Sequence, residues 1–448
     1  MWERLLDAIQ YAAKQAVPRK QIKQGCKPWF NPSLLAKLRV FRRAKNRYFN
    51  NKSTGNYEAY IIARNAWDQH RRIARDDNID RIASKLTNER NSKLNWSIWK
   101  QVTAPSASPL SAHSANGPPR TKKEALDNLG AFFAQTMTDR KDTDFSHTIG
   151  EFTDNVLFKN IKPHPLDTPF TLKEVATQCA RAKEGTALGP DDVHPLFLRH
   201  AGPTFLSALL ELFNRSWNLG LVPSAWKHSK AVAIYKGKGG RDDPSNYRLI
   251  CVTSIVSRTF EHIVLRRLCS HLTTTRFLHP GQAGFRPKFS TYDNIYRLQR
   301  SIYKALQDQS HRPVVFLDIS KAFDSVWHYG LLQKVHDSAG IKGKAWLWIR
   351  SFLNRRSFSI VDKGCSSASF STTAGVPQGC VLSPLLFLIF INDLPKQSSL
   401  KDVEFLLFAD DIAPGCLGRG GEMGQEMESG VFNQQVSNCL LQPKAVRD

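Results

Sequence analysis

The sequence predicts an α+β protein, and three features of its pattern predict it. Past residue 165, amphipathic helical stretches alternate with short β-rich runs. Those runs, "AVAIYK" (231–236), "VVFLDI" (314–319), "FSIVD" (358–362) and "EFLLFA" (404–409), are dominated by β-branched and aromatic residues. The first hundred residues instead read as helical and strongly basic. No internal repeat is visible.

Residues 30–101 carry Leu34, Leu38, Phe41, Ala44 and Tyr48 at helical spacing, with Arg39, Arg42, Arg43 and Arg47 on the opposite face. Trp67, Trp96 and Trp99 add aromatic surface, which at this spacing serves a core more often than it stacks bases. Residues 1–101 are therefore read as one basic helical region. "VTAPSASPLSAHSANGPPR" (102–120) is a linker or exposed loop, being rich in Pro, Ser and Ala. "KKEALDNLGAFFAQTM" (122–137) resumes a helix and opens a helical lead-in over 121–184. Helices follow at 204–217 and 254–272. After Asp411 the chain turns Gly-rich and polar, and 412–448 is expected to be an irregular or disordered tail.

The net charge is +24. Residues 1–100 hold 22 Lys and Arg against 8 Asp and Glu, an excess that suits a polyanion such as nucleic acid, although a solvated helical face would also carry it. The N-terminus "MWERLLDAIQ" lacks the apolar core of a signal peptide, and the longest apolar stretch, 380–391, is too short for a bilayer. Eight cysteines without a C-x-x-C spacing argue for reduced thiols, no zinc site and an intracellular setting. No membrane partner is expected.

Two adjacent aspartates, Asp410 and Asp411, end the strand-like run 405–409. Four Asp-Asp pairs occur in the chain, but only this one directly follows such a run. Like charges held together need a cation between them or solvent around them. A partner lies in "VVFLDISKAFDSVWH", where another β-rich run ends at Asp318. Three carboxylates at one sheet edge would favour two Mg²⁺ ions, hard cations that take oxygen ligands and keep water or phosphate in their shell. Taken alone, Asp318 would serve equally as the cap of a helix beginning near Ser320.

Two further elements frame this edge. "AGVPQGCVLSPLLFLIFINDL" (374–394) sets Gly375, Pro377 and Gly379 in a tight turn around Gln378, before an apolar helix from about Leu382. "IYKGKGGRDDPSNYRLI" (234–250) places Lys236, Lys238, Arg241 and Arg248 on a Gly-rich connection between two strands, suited to a triphosphate. It lacks the G-K-[ST] of a P-loop, and alone it reads equally as a charged turn.

In order, "GTALGPDDV" (185–193), "YKGKGGRDDPSNYRLI" (235–250), "QAGFRPKFSTYDNI" (282–295), "FLDISKAFDSVWH" (316–328), "GVPQGCVLSPLLFLIFINDL" (375–394) and "FADD" (408–411) resemble the successive motifs of a reverse transcriptase, of the non-LTR (LINE-type, jockey-like) retrotransposon class. The resemblance covers residues 185–411; "CKPWFNPSL" (26–34) and the helices after it look, more loosely, like the connector that precedes the polymerase in these elements. It implies right-hand polymerase fingers and palm and RNA-directed DNA polymerase activity. Asp318, Asp410 and Asp411 would be catalytic and bind two Mg²⁺ (or Mn²⁺), with the Ile319 carbonyl completing a shell. Lys236, Arg248, Phe323 and Gln378 would bind the dNTP, Phe323 as a gate against the ribose 2′-hydroxyl. Gly284, Phe285 and Arg286 would lie along the template. The partners implied are an RNA template, a DNA primer and dNTP, at a nuclear or cytoplasmic location. Three departures stand out. Leu249 replaces the family's usual Pro after the Arg, no endonuclease precedes the connector, and Pro414 and Gly415 fall where a second hairpin strand belongs. A missing thumb and impaired polymerisation are expected from the last of these. A non-catalytic nucleic-acid-binding remnant is the alternative.

Overall fold

The computed structural model describes residues 1–16, 31–88, 121–138, 164–310, 314, 316–319, 321–362, 364–397 and 403–416. The linker at 102–120, Trp96, Trp99 and the chain after Cys416, where the missing thumb was expected, lie outside the described residues. Two units emerge: Lys14–Pro109, and Met1–Ala13 together with Leu110–Asp448.

The smaller unit is an antiparallel pair of helices, α2 (Pro32–Asn50) and α3 (Thr54–Asn88), joined at 51–53. Asn31 caps α2 by accepting from the Leu34 N–H at 2.8 Å, and Pro32 occupies the first turn, where its missing donor costs nothing. An aromatic ladder joins the helices: Tyr48 stacks on Tyr60 at 5.8 Å and meets Tyr57 at 5.3 Å, and Phe41 stacks on Tyr60 at 6.0 Å. The helical face expected from Leu34, Phe41 and Tyr48 is thus the packed one.

The single basic region expected over 1–101 divides differently. Helix α1 (Trp2–Ala16) buries Trp2 and Ile9 in the core of the larger unit, with the Trp2 ring edge-on to Trp226 at 5.3 Å. Within this helix Glu3 and Asp7 balance Arg4 and Lys14, so no net charge opposes the burial of its two apolar anchors.

The larger unit holds two sheets. The first has the order β2-β1-β4-β5, with β6 on β4. β1 (His228–Tyr235) and β2 (Tyr247–Val252) form an antiparallel hairpin, and β4 (Arg356–Asp362) lies parallel to β1. β5 (Cys365–Ser366) and β6 (Phe370–Thr372) complete it. Helix α4 (Lys122–Thr136), capped by Thr121, packs Leu126, Leu129 and Phe133 against Ala231, Leu249, Phe358 and Ile360. The lead-in helix is therefore built into this sheet's own core.

A larger core gathers α5 (Leu172–Ala180), α6 (Pro203–Leu219), α7 (Ile255–Thr274) and, beyond the largely exposed α8 (Thr291–Gln307), α9 (His328–Gln333), α10 (Gly343–Leu353) and α11 (Ser383–Ile391). Phe213 stacks on Phe260 at 4.5 Å, and Trp226 and Trp348 close around Phe260. Helix α11, apolar on all sides, is buried throughout, as such a helix must be.

The second sheet has the order β3-β8-β7. β7 (Val403–Phe408) and β8 (Asp411–Cys416) form a hairpin with Ala409-Asp410 as its two-residue turn, and β3 (Leu317–Asp318) pairs antiparallel with β8. An isolated bridge from Val314 to Gly415 extends the same register. The expectation that an irregular tail begins at 412 is corrected here. Pro414 lacks a ladder donor, but six cross-strand pairs with β7 and burial of Ile412 hold the strand. Among the described residues no helix is long and apolar enough to cross a membrane.

Candidate active site

The β3–β8 register sets Asp318 directly opposite Asp411, and Asp410 precedes Asp411 in the turn. Side chains paired this way have Cβ atoms about 5 Å apart, a distance at which like charges destabilise a ladder. Asp318 and Asp411 are exposed and Asp410 is half-buried. The Asp410 carboxyl lies above its ordinary range, first through desolvation and then through the charges of Asp411 and Asp318, against the pull of its own backbone amide and Arg248. Electrostatically, then, the three carboxylates share one edge, and Arg248 on β2 faces it. No helix begins near Ser320 among the described residues: 321–325 form turns and α9 starts at His328. Asp318 therefore ends a strand and is not a helix cap.

The turn that presents these groups is strained and clamped. Ala409 has φ of +59°, a left-handed conformation unfavourable for a residue with a side chain. The buried Gln282 amide oxygen accepts from the Ala409 N–H at 3.0 Å and from the Gly284 N–H at 2.8 Å. Alongside, the Leu407 N–H donates to the Gly281 carbonyl at 3.0 Å, and the Ala283 N–H donates to the Leu407 carbonyl at 2.8 Å. A Cβ on Gly284 would run into the Ala409 backbone, so only glycine fits.

The "GFR" positions differ in what they touch. Gly284 is a close-approach residue. Arg286 donates to the carbonyls of Gln282 at 2.9 Å and His279 at 3.2 Å and lies over the Phe289 ring, so its guanidinium is engaged within its own loop. Phe285 remains exposed, edge-on to Phe323 at 6.3 Å. Phe323 is half-buried and stacks on Phe387 of α11 at 4.7 Å.

The turn before α11 closes against this floor. The Gly375 N–H donates to the Val326 carbonyl at 2.7 Å and the Val376 N–H to the Phe323 carbonyl at 2.8 Å. Gly375 has φ of +82°, and a Cβ there would meet the Asp324 carbonyl oxygen at 2.6 Å. The Gln378 carbonyl accepts from the Cys251 N–H at 2.7 Å, tying the turn to β2, and its side-chain amide donates to Asp324 at 3.4 Å. On the hairpin, Lys236 is exposed and donates to the Ser245 carbonyl at 2.7 Å, and Arg248 is exposed on β2 opposite Ile234. The candidate dNTP residues thus lie on three elements tied to one another by backbone bonds.

Sequence reasoning passed over three residues. Asp324 is buried, and desolvation pushes its carboxyl up to about 6 against Lys321, Gln378 and Lys236. Gln282 clamps the carboxylate turn. Glu261, fully buried on α7, accepts from the Val381 N–H at 2.9 Å and holds the start of α11. Asp324 and Gln282 sit inside motifs already singled out. Glu261 lies in a plain helical stretch, and only its neighbours reveal it.

Three carboxylates gathered at one sheet edge offer hard oxygen donors that fit divalent cations of the Mg²⁺ type. Among the described residues no group of three or more acidic, His or Cys side chains is already drawn in to coordination distance.

A carboxylate edge built from a strand and a hairpin turn, faced by a cationic β-hairpin, is suited to metal-assisted transfer of a nucleotide's phosphate. In agreement, residues 234–420 match the family described as reverse transcriptase (RNA-dependent DNA polymerase). The chain is 27% identical over 432 residues to the RNA-directed DNA polymerase from mobile element jockey of Drosophila melanogaster, covering 91% of this chain and 45% of that protein. Its counterpart in Drosophila funebris is 26% identical over 419 residues. The probable RNA-directed DNA polymerase from transposon BS of Drosophila melanogaster is 30% identical over 250 residues, or 55% of this chain and 27% of that protein. The chain therefore spans about half the length of the jockey relatives or less.

Proposed function

We propose that the chain performs RNA-directed DNA polymerisation, transferring a nucleotidyl group from a dNTP to a primer 3′-hydroxyl on an RNA template. The observation that carries this reading is the register that pairs Asp318 with Asp411 beside Asp410. Two Mg²⁺ ions held by these carboxylates and the Ile319 carbonyl would supply a lowered pKa at the attacking hydroxyl and charge stabilisation at the leaving pyrophosphate. The chain's own groups do the rest. Lys236 and Arg248 bind the triphosphate from the hairpin. Phe323, backed by Phe387, offers a rigid ring under the sugar and excludes a 2′-hydroxyl. Gln378, fixed through its backbone to Cys251, lies against the incoming nucleotide. Gly284 and Arg286 shape the loop from which Phe285 meets the template. The expected breakage of the hairpin at Pro414 and Gly415 does not occur, which removes that ground for impaired catalysis.

Primer extension on an RNA template with Mg²⁺, compared between the wild type and Asp318→Asn, tests the proposal. Losing one ligand of an ion worth several kcal/mol in the transition state lowers extension by about 10³-fold. RNA affinity, measured in parallel by anisotropy, is expected to hold. Extension indifferent to the substitution overturns the assignment; RNA binding without any wild-type extension favours a non-catalytic nucleic-acid-binding protein.

A further inference from the structure

Helix α2 carries Lys37, Arg39, Arg42, Arg43, Lys45 and Arg47 and not one acidic residue. At 100° per residue, Arg39, Arg42, Arg43 and Arg47 fall on one face, with Asn46 and Asn50 between and after them. That face is opposite Leu34, Phe41 and Tyr48, which pack toward α3. All four arginines are exposed. None of their guanidinium groups has an ion-pair or hydrogen-bond partner among the described residues, whereas Arg71 on α3 pairs with Asp68 at 3.0 Å. The face has a definite shape: four planar forks at i, i+3, i+4 and i+8, along about 12 Å of helix axis.

From this stripe we propose that the outer face of α2 is a docking surface for duplex DNA, read through its phosphates without regard to sequence. Unpaired guanidinium groups in a row are suited to phosphate oxygens, which they bind bidentately. Between Arg39 and Arg47 the stripe holds no aromatic side chain, and the one exposed ring beyond its end, Phe49, lies under the Lys45 ammonium at 5.7 Å, so the row of rings that single strands stack on is lacking. A helix about 10–12 Å across enters the major groove of B-form DNA, while the deep, narrow groove of an A-form RNA duplex excludes it. This surface belongs to the Lys14–Pro109 unit and does not depend on the polymerase reading.

The test is fluorescence anisotropy of the full chain with a labelled 20-base-pair DNA duplex of arbitrary sequence, titrated across salt concentrations. In the Arg39→Gln, Arg42→Gln, Arg43→Gln, Arg47→Gln variant, the slope of log K against log salt is expected to fall by about 3–4, close to 0.9 for each phosphate no longer neutralised. Glutamine keeps helix propensity at exposed positions, and circular dichroism checks that α2 survives. A variant with all four changed to Lys is expected to retain most of the slope. A second variant, Lys45→Gln, Lys52→Gln, Arg64→Gln, Arg81→Gln, removes equal charge from other exposed positions of the same unit and is expected to change the slope by less than half as much. Equal effects of the two glutamine variants would overturn the stripe as a site. So would a larger loss of affinity for single-stranded or duplex RNA than for duplex DNA.

Discussion

Replacing Asp324 with Asn should make the polymerase unit more stable at neutral pH and leave it nearly unchanged in acid. Asp324 is buried beneath the turn that carries Gln378, and burial raises its carboxyl from an ordinary 3.8 to about 6. The folded state therefore holds this proton more tightly than the unfolded chain does. Between about pH 4 and pH 6 the unfolded chain has released it and the folded protein has not, so stability falls as pH rises through that window. Two pH units at 1.36 kcal/mol each amount to about 3 kcal/mol, absent below pH 4 and complete above pH 6. Asn keeps the shape and carries no charge, and the Gln378 amide can turn its oxygen to meet it. Urea unfolding of both proteins from pH 3.5 to pH 8 reads the difference, followed by tryptophan fluorescence from buried Trp217, Trp226, Trp346 and Trp348. Other titrating groups, buried His328 among them, cancel between the two proteins. A stability difference that does not change with pH, or a variant less stable than wild type at pH 7.5, refutes the argument.

Three further substitutions probe the same framework. Gln282→Ala strips the acceptor shared by the Ala409 and Gly284 N–H groups and should cost about 2–4 kcal/mol in urea unfolding, because each buried orphan donor costs about 1–3 kcal/mol. Lys334→Met removes an ammonium that donates to the Phe390 carbonyl and to Asp393, both at 2.7 Å. Unfolding should be easier by an amount at the low end of about 3–5 kcal/mol, since the Asp393 side chain keeps 31% of its surface in water. If the sugar sits over Phe323 as proposed, Phe323→Ala should raise incorporation of ribonucleotides relative to deoxynucleotides in primer extension, with unchanged discrimination counting against the gate.

The elements that position the site were legible where a strand or helix carries a strong period of its own. The runs at 231–236, 358–362 and 404–409 became β1, β4 and β7, and the apolar stretch from Leu382 became α11. What the sequence hid were decisions made by tertiary packing. Pro414 and Gly415 look like strand breakers, but the register that begins at a two-residue turn carries the pairing through them. The basic N-terminal residues look continuous, yet Trp2 and Ile9 commit the first helix to another core. Arg286 reads as a free cation and is spent on two carbonyls of its own loop. Glu261 is invisible in a plain helical stretch, because the backbone groups it holds at the start of α11, Val381 and Leu382, lie 120 and 121 residues away.

The site raises one further question: what holds three repelling carboxylates at one edge before any cation arrives. Among the described residues β3 contributes Leu317, Asp318 and a bridge at Val314, a short pairing for holding Asp318 opposite Asp411. The restraint comes from the other side. The 281–284 loop lies along β7 through two backbone bonds, and the Gln282 amide pins Ala409 in its left-handed conformation. Gly284 admits no side chain where the loop meets the turn. The loop and the hairpin turn therefore move together, and what fixes Asp410 and Asp411 is a glutamine side chain lying 128 and 129 positions upstream of them. Gln282→Ala, which unties the turn, should therefore disturb Asp410 and Asp411 more than Asp318.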